Sequence, residues 1–238
     1  MMEWRDEGVI LAVRKHQETA AIVELLTAGH GRHAGVVRGG ISRKMTPHLQ
    51  PGNRVDVVWQ ARLEDRLGTF KLEVTQARAA TLMGSRRQLA GLGAVTALCQ
   101  ALLAEREPQG ALYRATSVAL EVMAQDGPWP PVYVRWEVAL AEALGYPLDL
   151  SECAATGATE DLVFVSPKSG RAVSRSGGQG WEDRLLPLPG FLVGRTESAS
   201  VQVAEGLHLT GHLLKKAAAQ GRHPDLPAAR ARLVALLS

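Results

Sequence analysis

The residues best suited to chemistry cluster early in the chain. Between Glu24 and Asp56 there is no acidic residue, yet Arg32, Arg38, Arg43, Lys44 and Arg54 fall in that window with His30, His33 and His48. The whole chain holds 27 Lys and Arg against 24 Asp and Glu, so this positive charge is placed rather than merely abundant. Such a stripe attracts a polyanion through counterion release and needs no base-specific contact. The plainer reading is a solvated loop and strand face whose arginine stems lie on apolar neighbours. A second acid-free window, Gly206 to Pro224, puts His208, His212, Lys215, Lys216, Arg222 and His223 in a helical pattern, with Leu213 and Leu214 beside the lysines.

Other chemistries have less support. The run Gly29 to Gly35 (GHGRHAG) is glycine-rich, but a strand pattern follows it rather than a helix, and no P-loop Lys-Ser/Thr or acidic ribose ligand is in place. His208 and His212 share one helix face, but Leu209 stands where a metalloprotease carries Glu, and no nearby Cys, Asp or Glu completes a metal site. Ser42 sits beside Arg43-Lys44 after Gly39-Gly40, which suits a phosphate contact better than acyl transfer. Cys99, in TALCQALLAE, falls among apolar helix positions and reads as core. No catalytic residue, metal or cofactor is expected, and the chain reads as a binding protein rather than an enzyme. On the predicted strands, Trp59 and Phe70 could stack on a base, Phe70 beside Lys71 being the better candidate; burial in a small barrel is the alternative for both.

The elements that must position these residues change character along the chain. Apolar β-branched runs at Glu7 to Val13 and Ala20 to Thr27 read as strands, and a third runs from about Arg32 to Arg38, bracketed by Gly31 and Gly39-Gly40. Alternation of polar and apolar residues gives two more, Arg54 to Ala61 and Thr69 to Ala77. Five short strands in about eighty residues match the size of an OB-fold, with a sandwich as the other possibility. Ala and Leu at helical spacing follow over Ser85 to Arg106, Ala111 to Gln125 and Pro131 to Leu144, with Gly145 as C-cap. A hairpin module is expected between about 150 and 180, then a helix from Ser198 to Gln220 and a last one in AARARLVALL. The fold class is α+β, a barrel domain over residues 1–80 and a mainly helical domain over 81–238.

With only Cys99 and Cys153, the chain has neither a disulfide framework nor a four-thiolate zinc site, and a reducing compartment fits it. The opening MMEWRDEGVI does not read as a leader, and no stretch approaches the length of a membrane span, so a cytoplasmic, nucleoid-associated protein is expected.

The run EGVILAVRKHQETAAIVELLTAGHGRHAGVVRGGISRKMTPHLQPG resembles the N-terminus of the RecO family of recombination mediators. The likeness rests on the order and spacing of Gly8 to Leu11, Glu18-Thr19, Leu26-Thr27 with Gly31, Arg38-Gly39 and its trailing basic residues, and Leu49-Gln50-Pro51. It continues more loosely through Arg135-Trp136-Glu137 and LAEALGYPLDLSEC. Many members carry four cysteines as a zinc site in the next module. Here Cys153 holds the first position, Thr156 stands at the second and GRAVSRSG offers no thiolate for the other pair, so a metal-free hairpin is expected.

The resemblance implies an N-terminal OB-fold, binding to single- and double-stranded DNA, annealing of SSB-coated strands, and partnership with RecR in loading RecA, the RecF pathway. Residues expected to contact DNA are Arg14, Lys15, Arg32, Arg38, Arg43, Lys44, Arg54 and Phe70. The surface of Leu213, Leu214, Lys215 and Lys216 is expected to receive the acidic, apolar C-terminal tail of SSB. The rival reading is an OB-fold protein that binds RNA or serves as a scaffold, without annealing activity.

Overall fold

The computed structural model describes residues 2–63, 66–125, 127–195, 199–221 and 224–237, without the side chains of 199–201. The chain forms two compact units, Met1–Gly127 and Pro128–Ser238.

In the first unit, β1 (Met2–His16), β2 (Ala20–Thr27), β3 (Gly31–Val37), β4 (Arg54–Ala61) and β5 (Thr69–Gln76) close a barrel in the order β1-β2-β3-β5-β4. All pairings are antiparallel except β3 with β5, which meet at Val36 and Thr69. This is the OB-fold expected from strand number and length. The first strand is longer than its apolar run because it serves two partners: residues 2–9 pair with β4 and residues 8–16 with β2. Its charged first half, MEWRDE, hides that role from a pattern search. Inside, Ile10, Val23, Leu25, Val55, Val57, Trp59 and Phe70 form one apolar core, the alternate residues that a half-buried strand points inward.

The helices of this unit are α1 (Ala79–Met83), α2 (Arg86–Leu102) and α3 (Gly110–Ala124). Ser85 caps α2, its hydroxyl accepting from the Gln88 N–H at 3.5 Å. Backbone and side-chain bonds fix these helices to the barrel: Gln100 donates to the Leu11 carbonyl at 3.2 Å, and Asn53 accepts the Ala79 N–H at 3.0 Å. Gly31 lies at φ 64°, and a Cβ there would stand 1.8 Å from the Glu107 carbonyl oxygen. Only glycine admits that close approach.

The second unit contains α4 (Trp129–Ala143), a small sheet, α5 (Ala199–Ala218) and α6 (Ala228–Leu237). A Schellman motif ends α4, with Gly145 N–H on the Glu142 carbonyl (2.9 Å) and Tyr146 N–H on Ala141 (2.8 Å). The sheet runs β7 (Ala172–Ser174), β6 (Leu162–Val165), β8 (Leu186–Pro187), with β6 central. The hairpin is as expected; β8, only two residues long, has no periodicity to betray it. Glu137 of α4 is fully buried and paired with Arg230 of α6 at 2.7 Å, with Tyr133 and Thr210 donating to the same carboxylate. Among the described residues no helix is long and apolar enough to cross a membrane.

Candidate nucleic-acid interface

The segment after β3 leaves the barrel through Gly39, in the left-handed region at φ 68°, and coils into a compact turn. Ser42 serves that turn: its carbonyl accepts from Met45 and Thr46 N–H at 3.0 Å, and its hydroxyl from Met45 N–H at 3.3 Å. Ile41 and Met45 pack on the barrel core, leaving Arg43 and Lys44 exposed. The turn also touches the β1–β2 connection, where Ile41 N–H donates to the Thr19 carbonyl. On the ladder, Lys15 lies opposite Ala21 and Ala21 opposite Val37. Lys15 and the residue preceding Arg38 are therefore two strand spacings apart, about 10 Å.

Arg38 also lines a groove of about 720 Å³ with Arg62, Arg66, Leu63, Leu67 and Gly68 of the β4–β5 connection. Val36 N–H on the Gly68 carbonyl at 3.1 Å holds that connection against β3. Lys15, Arg38, Arg43, Lys44, Arg62 and Arg66 are all exposed, and no ion pair engages any of them among the described residues. Arg62 and Arg66 escape a reading by charge because Glu64 and Asp65, outside the described residues, cancel them in ARLEDRLG. The readable signal is the interleaving of arginine with exposed leucine at a spacing of four.

Other expected contacts lie elsewhere. Arg32 is six residues from Arg38 along β3, about 20 Å, and its guanidinium is committed to Glu24, the Leu103 carbonyl (3.0 Å) and Glu105 (3.5 Å). Arg54 pairs with Glu7, which also accepts from the Tyr113 hydroxyl at 3.2 Å. The hydrogen bond that Arg54 donates to Glu7 raises the Arg54 pKa above its ordinary value. Both arginines hold the unit together, a role invisible when the acidic partners are distant in sequence. Arg14 is exposed and 3.7 Å from Glu24. Phe70 is 3 % exposed and Trp59 2 %, each within the barrel core, and Trp59 donates to the Leu67 carbonyl at 3.0 Å. Neither ring has a face for a base, so the stacking expected of Phe70 is corrected. Lys71, beside it, borders a surface with Asp6, Glu7, Asp56 and Glu73, which repels phosphate.

On α5 the expected tail-binding surface is also corrected. Leu213 and Leu214 are 2 % and 0 % exposed. Lys216 donates to the Pro167 and Lys168 carbonyls at 3.1 and 3.2 Å and lies over the Tyr146 ring. Only Lys215 faces solvent freely. His212 is within 3.2 Å of the Pro167 carbonyl, so it closes the β6–β7 turn with Lys216. Arg222 and His223 lie outside the described residues.

The knuckle around Cys153 does not fit zinc. Its Sγ accepts from the Ser174 N–H (3.2 Å) and hydroxyl (3.3 Å), and the Thr156 hydroxyl lies 3.4 Å from that of Ser174. A Cβ on Gly177 would stand 2.8 Å from the sulfur, so Thr156, Ser174 and Gly177 occupy the places where further thiolates would be needed. Burial pushes the Cys153 thiol up, but hydrogen bonds from Ser174, Thr156 and the Ala155 N–H outweigh it and bring the pKa to about 6. Among the described residues no group of three His, Cys, Asp or Glu could hold a metal. Cys99 is sealed in the first unit, where burial pushes its pKa up to about 12.

A five-stranded OB barrel with helices packed on it, a helical second unit and a basic groove that no ion pair engages among the described residues define a protein of the OB-fold class. Comparison with known proteins agrees. Residues 1–78 match the family model described as Recombination protein O N terminal, and residues 83–223 match Recombination protein O C terminal. The chain is 52 % identical to DNA repair protein RecO of Cereibacter sphaeroides, over all of this chain and 99 % of that protein. The protein of the same name from Ruegeria sp. is 49 % identical over the same shares, and that of Rhodospirillum centenum 50 % over 98 % of this chain and 94 % of its own. The chain belongs to the RecO family of DNA repair and recombination proteins.

Proposed function

We propose that this chain is a recombination mediator that binds single- and double-stranded DNA, anneals complementary strands coated by SSB, and with RecR assists the loading of RecA. The observation that carries the reading is the set of cations around Arg38 that no ion pair engages among the described residues, with Arg43 and Lys44 in the turn that follows it and Arg62 and Arg66 across the groove. An arginine fork can pair bidentately with phosphate. Neutralising two strands lowers their mutual repulsion, so complementary bases meet and pair without nucleotide hydrolysis. Lys15 extends the track along β1.

The test is the annealing rate of complementary DNA strands precoated with cognate SSB, in EDTA and without ATP. Wild type should accelerate annealing, and Arg38→Ala/Arg43→Ala/Lys44→Ala should lose the acceleration. If about five phosphates are engaged, the log–log salt slope for a single strand is about −3.5, and Arg62→Ala/Arg66→Ala should reduce its magnitude by about 1.4. A slope near zero, or annealing unchanged in a folded triple variant, would overturn the reading.

A further inference from the structure

The groove beside Arg38 is not only basic. Val36, Ala61, Leu63 and Leu67 line it together with the arginines, and the two leucines stay at the surface, 56 % and 37 % exposed. Apolar side chains gathered in one exposed groove mark a place where something binds.

The β4–β5 connection presents Leu67 on a fixed backbone. Three successive carbonyls accept hydrogen bonds from the body of the unit: Arg66 from the Arg106 guanidinium at 2.9 Å, Leu67 from the Trp59 indole at 3.0 Å, and Gly68 from the Val36 N–H at 3.1 Å. Gly68 lies at φ 67°, and a Cβ there would stand 2.3 Å from the Trp59 Nε1, so the chain passes against the indole where only glycine fits. The segment is tied down from within while the Leu67 side chain is left facing out. A surface held in this way loses little freedom on binding.

An occupant of the groove must be anionic and apolar at once. A single DNA strand has that character, with phosphates at a regular spacing and bases whose faces are bare. A duplex does not, because its base faces are closed in the stack and only base edges and phosphates reach the surface. The exposed cations continue beyond the groove, through Arg43 and Lys44 in the turn after β3 to Lys15 on β1, a length of charge that suits a chain of phosphates. The rings that could have served the bases, Trp59 and Phe70, are buried in the barrel core. Leucine is among the apolar side chains that rest against unstacked bases.

We infer that Leu63 and Leu67 hold the bases of an unpaired strand whose phosphates lie on the arginines of the groove, so that the groove binds the separate strands more tightly than the duplex they form. The inference rests on the proposed function and deepens it, because it gives annealing a direction. Once the bases pair they stack on one another and leave the leucines. The duplex then keeps only its phosphate contacts, and pairing itself loosens the product.

The test measures, by fluorescence anisotropy on the full chain, the affinity for three ligands of equal length: a thymidylate strand, a strand of abasic units, and thymidylate paired with its adenylate complement. The exposed parts of the two leucines amount to about one whole leucine, whose burial is worth about tenfold in affinity. Wild type should therefore bind the thymidylate strand about tenfold more tightly than the abasic one. Leu63→Ser/Leu67→Ser should bring those two affinities together and lower the strand-to-duplex ratio about tenfold, with the salt slope of wild type, since every cation is kept. Leu63→Met/Leu67→Met, which restores apolar contact at the same places, should keep the preference and separates lost contact from a folding defect in the serine variant. Salt-dependent binding with no base preference in wild type, or a preference that the serine variant keeps, overturns the leucine contact and leaves the arginine groove standing. Absence of salt-dependent binding to all three ligands overturns the proposed function itself. A peptide of alternating Asp and Leu, titrated in parallel, tests the other occupant. If it binds wild type and not the serine variant while the strands show no base preference, the inference is overturned and the groove is a docking site for an acidic protein segment.

Discussion

Among the described residues neither ring nitrogen of His33 has a hydrogen-bond partner, and burial, reinforced by Arg106 and His30, pushes its pKa down to about 4 against 6.5 for the free ring. The unfolded chain therefore binds a proton that the native chain refuses between about pH 4 and pH 6.5. Its contribution to stability is fully present above the upper value and is lost as pH falls through the window. Between about pH 7 and pH 4.5 the melting temperature of wild type should fall further than that of His33→Phe, which has no such proton to bind. Equal losses in the two proteins, measured by thermal denaturation, would contradict the burial argument. The same scale shows what a sequence reveals of a site. The exposure of Arg43 and Lys44 is legible, because Gly39-Gly40 and the polar residues around them can only form a surface turn. The engagement of Arg32 by Glu24 and of Arg54 by Glu7 is not, since a pairing across strands leaves no mark on either residue's own neighbourhood. His33 was merely one of three histidines in a basic window until the barrel closed around it.

Strands and helices were more legible than side-chain roles, and for a physical reason. Alternation in β4 and β5 and the glycine brackets of β3 arise from the pleat and from turn geometry, which act locally. The first half of β1 is polar in sequence yet fully paired, because closing the barrel requires a strand beside β4 and sheet hydrogen bonds do not depend on side-chain type. β8 forms only because β6 offers an edge. Among the helices, Glu137 on α4 falls by spacing on the apolar face of Tyr133, Trp136 and Leu140 while its charge argues for the surface, and it is the buried junction of three helices, satisfied by Arg230, Tyr133 and Thr210. A buried ion pair is costly to assemble but more costly to halve. Glu137→Leu should therefore destabilise the second unit by about 3–5 kcal/mol, because it strands the Arg230 charge. Glu137→Leu/Arg230→Met should recover much of that loss. Denaturant melts of the two variants decide it, and a double variant no better than the single one would show that the network's value lies in its hydrogen bonds to Tyr133 and Thr210.

At the scale of the whole chain, the change from β-branched to Ala-Leu composition near residue 80 marks where the barrel strands end, and the family matches also part there, at 78 and 83. Compactness divides the chain later, at Gly127 and Pro128. The difference has a cause in the first unit, where α1, α2 and α3 supply partners that the barrel lacks. Leu11 receives a hydrogen bond from Gln100, Arg32 gives one to the Leu103 carbonyl, and Arg78, only 4 % exposed, depends on Glu121 at 3.1 Å. A fragment ending near residue 80 would leave Arg32 and Arg78 without those partners and expose the apolar faces that α2 and α3 cover. A fragment of residues 1–127 keeps them all, together with every cation of the groove. It should melt cooperatively and bind single-stranded DNA with the salt slope of the full chain, whereas residues 1–80 should be at least about 3 kcal/mol less stable, the loss of several buried hydrogen bonds at about 1 kcal/mol each. Circular dichroism melts and salt-titrated anisotropy on the two fragments give the answer. Equal stability would mean that the barrel needs no helical support, and full stability of residues 1–127 without DNA binding would move the interface to the second unit.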